Sequence, residues 1–189
     1  MTHPKFTDTE ASQFGDMAEK LRPDYEAADE IWAGSPFAWI RARPAGQRGA
    51  IGARLVSQWS ESKGFTVGPT GDSDADRLIN KIRIEIKFST LWTDQEIYKF
   101  QQIRDQNYRY CFCLGVSPFA VHAWFIPKSE LMSPREGLTP QHGGAKGTDT
   151  MWLGFSPDDP PSWLTPFGGT LTQVEALIRA ARKSDNRSL

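Results

Sequence analysis

From Ile82 to Lys87 the chain alternates apolar and charged residues without a fault, Ile-Arg-Ile-Glu-Ile-Lys. That period of two predicts a strand, with Ile82, Ile84 and Ile86 turned to a core and Arg83, Glu85 and Lys87 sharing the other face. Residues 75–79 read as a shorter strand, and Asn80-Lys81 as the two-residue turn that joins the pair. The register then follows by counting: Ile79 faces Ile82, Leu78 faces Arg83, Arg77 faces Ile84, Asp76 faces Glu85 and Asp74 faces Lys87. Residues 50–63 show the helical period, with Ile51, Leu55, Val56 and Trp59 on one face and Gly64 as a stop signal. Residues 108–116 and 121–126 are β-prone runs and read as consecutive strands, the second holding His122 in a structural role. Residues 94–105 read as a helix with Ile97, Phe100 and Ile103 inward, 151–155 as a strand, and 172–182 as a final amphipathic helix. Two helical patches, 9–20 and 23–32, are expected on either side of Arg22-Pro23. Residues 44–49 and 133–150 read as loops, and Ser129 as the cap of a short helix after Pro127.

The hairpin carries the candidate chemistry. Opposed residues on a sheet face hold their Cβ atoms roughly 4.5–5.5 Å apart, so the counted register sets Asp76 beside Glu85 with Lys87 next to it. Two adjacent carboxylates repel each other at neutral pH, and Asp72, Asp74 and Asp76 crowd the same stretch. A hard divalent cation removes the conflict, because Mg²⁺ is held by one or two carboxylates with water and phosphate oxygens. An Asp, a short hairpin and then Glu-x-Lys on an apolar strand resembles the PD-(D/E)xK nuclease superfamily. The resemblance implies a restriction-endonuclease-like α/β fold and Mg²⁺-dependent hydrolysis of DNA, with Mn²⁺ able to substitute. Asp76 and Glu85 are then the metal ligands, Ile86 offers its backbone carbonyl, and Lys87 is the catalytic lysine. Asp74 is the alternative to Asp76, since Ala75 stands where the superfamily's name has proline. Many members carry a further Glu on the preceding helix, where this chain has Gly52-Ala53-Arg54.

Composition sets bounds on these expectations. With 189 residues, 39% of them hydrophobic, the chain suits one domain with a sizeable core. Residues 1–40 are expected to form a peripheral acidic helical segment packed on a core domain of 41–189. No apolar run reaches the length of a membrane span, and the polar N-terminus does not resemble a signal peptide. Cys111 and Cys113, two apart on one strand, read as buried thiols, and the expected location is cytoplasmic.

The net charge is −1, yet residues 41–110 carry twelve basic against eight acidic residues, while 1–40 carry three against eight. The positive excess therefore lies around the hairpin, where a phosphate backbone would need it. Arg48, Arg54, Ser89, Lys99, Gln102 and Arg104 are the candidate DNA contacts. Gln141, His142 and Lys146 join them from the glycine-rich 133–150 loop, which lacks the P-loop spacing. Trp92 reads as a core residue before a base-stacking one. The expected architecture is α/β, a central mixed sheet of about five strands flanked by helices. The expected partner is double-stranded DNA, cut by a homodimeric type II restriction endonuclease with a companion DNA methyltransferase. A repair or junction-resolving nuclease and a non-catalytic DNA-binding domain are the alternatives.

Overall fold

The computed structural model describes residues 9–140 and 150–185. Helices α1 (Thr9–Glu30), α2 (Ala38–Arg41) and α3 (Ala45–Ser62) lead into strands β1 (Val67–Gly68), β2 (Arg77–Ile79), β3 (Ile82–Thr90), β4 (Tyr98–Ile103), β5 (Tyr110–Val116) and β6 (Val121–Pro127). A short α4 (Lys128–Leu131), strands β7 (Leu138–Pro140) and β8 (Met151–Phe155), a 3-10 turn (Ser162–Phe167) and α5 (Leu171–Asp185) follow.

Strands β1, β2, β3, β5 and β6 form one mixed sheet in that order, with β3 at its centre and parallel to β5. The alternation read in the sequence places Ile82, Ile84 and Ile86 on the helical face of this sheet. There they pack with Phe112, Leu114 and Phe125, with Val56 of α3, and with Val174 and Ile178 of α5. The fold is thus α/β, a mixed five-stranded sheet flanked by helices. β5 is apolar without alternation because both of its faces are covered. Its Cys111 and Cys113 sit on the opposite face from Phe112, reduced, with sulfurs 3.7 Å apart.

That opposite face is covered by a second, antiparallel sheet, β4-β8-β7, through Tyr98, Phe100, Ile103, Leu153 and Phe155. The predicted helix over 94–105 is therefore corrected to strand β4. Tyr98 and Phe100 point inward at period two, but the pairing with β8 slips between Phe100 and Ile103, where Gln102 takes a φ of 57°. This bulge turns Ile103 inward instead of Gln102, and the spacing of Phe100 and Ile103 then imitates a helix.

The hairpin has the counted register as far as it pairs, with Ile79 on Ile82, Leu78 on Arg83 and Arg77 on Ile84, but β2 starts at Arg77, so the expected strand pairs of Asp76 with Glu85 and Asp74 with Lys87 are not formed. Asn80 and Lys81 take φ of 51° and 69°, the left-handed pair of a type I′ turn. Asn80 tolerates this conformation and accepts the Thr66 amide on its side chain. Lys81 has no such compensation. Lys81→Gly is expected to raise the melting temperature, relieving about 1 kcal/mol of left-handed strain; a thermal melt checks it.

The other departures are local. α3 starts at Ala45, so most of the predicted 44–49 loop is helix: Pro44 sits just before the first turn, where its missing N–H costs nothing. Its end agrees with the expected stop. Gly64 at φ 77° donates to Glu61 O while Phe65 donates to Ser60 O, a Schellman closure. α1 runs through Pro23 as one helix rather than two patches, since a long helix can lose one hydrogen bond and bend without ending. Ser129 lies inside α4 and Pro127 occupies the cap position. The 133–150 loop contains β7, with Gln141, His142 and Lys146 outside the described residues. Within 1–40, Trp32 and Ile40 are buried, while α1 exposes Phe14, Met17 and Leu21. No helix among the described residues is long and apolar enough to cross a membrane.

Candidate active site

β2 begins only at Arg77, so among the described residues no strand pairs with the β2 edge of β3 from Glu85 onward. Asp76 fills the start of that gap. Its amide donates to Ile84 O at 3.0 Å, and its carboxylate accepts the Ile86 amide at 2.7 Å. The side chain replaces the backbone acceptor that a longer β2 would have supplied. The N–H and C=O of one strand residue point to the same edge, so the Ile86 carbonyl lies on the edge that Asp76 occupies.

Glu85 projects from the face opposite the core isoleucines and is 8% exposed. Lys87, two residues on and therefore on the same face, brings Nζ to 2.6 Å from Glu85 Oε1. Asp76, Glu85 and Lys87 line one cavity of about 390 Å³. Its walls are the first turns of α3, with Gly46, Arg48 and Gly49, and β4, with Lys99 and Gln102. The sheet and α3 meet closely here: a Cβ on Gly52 would lie 2.3 Å from Phe88 Cβ.

Burial pushes the Glu85 carboxyl above its ordinary range, and the charge of Asp76 adds to the shift against the opposing pull of Lys87 and Arg104. A carboxyl whose folded pKa is raised contributes stability below its unfolded pKa and loses it as pH rises through the folded value. In EDTA, the melting temperature of Glu85→Gln is therefore expected to gain on that of the parent as pH climbs through this range. Parallel melts at stepped pH check this, and a constant difference between the two proteins would refute it.

The remaining candidates separate by position. Arg48, Lys99 and Gln102 line the cavity, and Lys99 Nζ lies 3.9 Å from the centre of the Trp92 ring, which also lines it. Ser89 reaches the same wall but is 4% exposed, and its hydroxyl donates to Thr90 O and accepts the Lys99 amide. It ties β3 to β4. Arg104 acts on Glu85 electrostatically and does not line the cavity, and Arg54 faces a separate groove. Asp74 lies outside the cavity lining, with its amide bonded to Asp72, and Asp72 pairs with Arg83. Of the three clustered acids only Asp76 reaches the cavity. Sequence reasoning missed Gln101 and the small residues of the first turns of α3; Pro44 before a run of small residues was the available sign of that helix start. His122 is bonded to Tyr98, 2.8 Å from its hydroxyl, away from this cavity.

Compared with known proteins, the chain matches no family model, and no curated sequence is significantly similar to it. The chemistry of the donor set is therefore the guide to what the site can hold. Among the described residues no three His, Cys, Asp or Glu side chains converge. Two carboxylates and a main-chain carbonyl make an all-oxygen set, which suits Mg²⁺ completed by water and phosphate and does not suit Zn²⁺. In formal charge the two carboxylates and one lysine side chain sum to one net negative. A divalent cation with one phosphodiester balances it.

Proposed function

We propose that the chain is a Mg²⁺-dependent endonuclease of the PD-(D/E)xK type, with a restriction-endonuclease-like core. The observation that carries the reading is that two carboxylates and an ammonium open into one cavity along the bare edge of a central strand. Asp76, Glu85 and the Ile86 carbonyl would hold the metal, and Mn²⁺ would substitute. When bound, Mg²⁺ supplies Lewis-acid charge and acidifies bound water.

The chain's own groups prepare that site. The Ile86 amide fixes the Asp76 carboxylate, so no rotamer search precedes binding. Burial makes the Glu85 charge costly on its own, which favours its neutralisation by a cation. Lys87 lines the cavity, where its Nζ orients the attacking water and balances charge gathering on the phosphate oxygens. Arg48 and Lys99 hold the DNA backbone across the opening.

In its finer form the reading is a homodimeric restriction enzyme, one site per strand of a palindrome, with a companion methyltransferase. Purified protein is expected to nick supercoiled plasmid in Mg²⁺ or Mn²⁺ and to be silent in EDTA. Discrete fragments favour restriction, and preferential cutting of branched DNA favours a junction nuclease. Failure to cut any duplex or branched substrate with either metal would overturn the proposal.

A further inference from the structure

Apart from the cavity, between α3 and the start of β2, a groove is lined by Arg54, Ser57, Gln58, Glu61 and Arg77. Arg77 is held there rather than free. Its Nε donates to Ser57 Oγ at 3.2 Å, its Nη1 donates to the Asp76 carbonyl at 2.6 Å, and Ser57 Oγ donates in turn to Ala53 O at 2.8 Å. All these acceptors are neutral. Among the described residues no carboxylate lies within ion-pair distance of Arg77 or Arg54, and Glu61, on the same wall, pairs with neither.

We propose that this groove is a phosphate subsite, which takes the DNA backbone beside the phosphate being cut, with Arg77 and Arg54 as its cations. The inference rests on the nuclease reading above and extends it to the path of the strand. Three features support it. A half-buried guanidinium with only neutral partners keeps its full charge and spare N–H donors for an anion. A planar fork already fixed by two hydrogen bonds loses little side-chain freedom on taking a phosphate. Arg77 follows Asp76 directly in the chain, so the groove adjoins the metal-ligand pair.

Counterion release tests the proposal without catalysis. Anisotropy of a labelled duplex, measured in EDTA over about 50 to 200 mM salt, gives the slope of log K against log salt, and removing one phosphate partner makes it shallower by about 0.9. Arg54→Ala and Arg77→Gln are each expected to lower the slope by that amount, while Arg182→Ala on α5 leaves it unchanged. Arg54 has no ion-pair partner among the described residues, so its variant carries the test even if Arg77→Gln fails to fold. A parent that binds DNA with the same slope as Arg54→Ala overturns the subsite alone. A parent that binds no DNA at low salt, either in EDTA or with Ca²⁺ in its place, overturns the nuclease reading with it.

Discussion

Lys87→Ala is expected to lower Mg²⁺-dependent plasmid nicking by about 10²- to 10³-fold, the loss usual for one preorganised charge aimed at a developing anion. Glu85→Ala should remove activity at least as completely, because it deletes one of the two carboxylates that line the cavity among the described residues. Lys87 also has a structural role, since it neutralises a Glu85 that is 8% exposed. Removing the ammonium alone leaves that carboxylate unpaired, so Lys87→Ala melts lower than the parent. The double variant Lys87→Ala with Glu85→Gln removes both charges together and should recover most of the lost melting temperature. It should stay inactive. If Lys87→Ala cuts as fast as the parent, the ammonium has no part in the chemistry.

Gly52→Ala should cost about 1–3 kcal/mol, a shift of several degrees in melting temperature. Alanine ordinarily stabilises a helix interior by about 1 kcal/mol relative to glycine, so the expected sign is reversed here. The cause is steric: the new methyl would sit 2.3 Å from Phe88 Cβ and 2.5 Å from its Cγ. α3 must then move off β3, and the cavity wall moves with it. At Gly46, on the same helix, an added methyl would meet nothing within 4 Å. Gly46→Ala should therefore follow the ordinary helix preference and hold or raise the melting temperature. Phe88→Ala in the Gly52→Ala background should cost less than the two single changes summed. Equal melting of Gly52→Ala and the parent would show that the helix and strand can part without loss.

The sequence by itself determined the local elements whose physics is short-ranged. Alternation over 82–87 set β3, its core face and the side on which Glu85 and Lys87 appear. Asn80-Lys81 set the turn, and a two-residue turn leaves one register, so the pairing of Arg77 with Ile84 could be counted. Gly64 marked the end of α3 because few other residues take its φ without strain.

Tertiary structure decided what depends on distant partners. β4 is a strand because β8 offers it a ladder and the bulge at Gln102 restores an inward Ile103; the local spacing alone fits a helix. Asp76, rather than Asp74, meets the cavity because β2 stops at Arg77 and leaves the Ile86 amide for a side chain to accept. Ser89 is spent on joining β3 to β4, and Arg77 gains its place from Ser57 on α3, twenty residues earlier in the chain. Hydrogen bonds across such separations leave no period in the sequence, since each depends on how the helices and sheets are brought together.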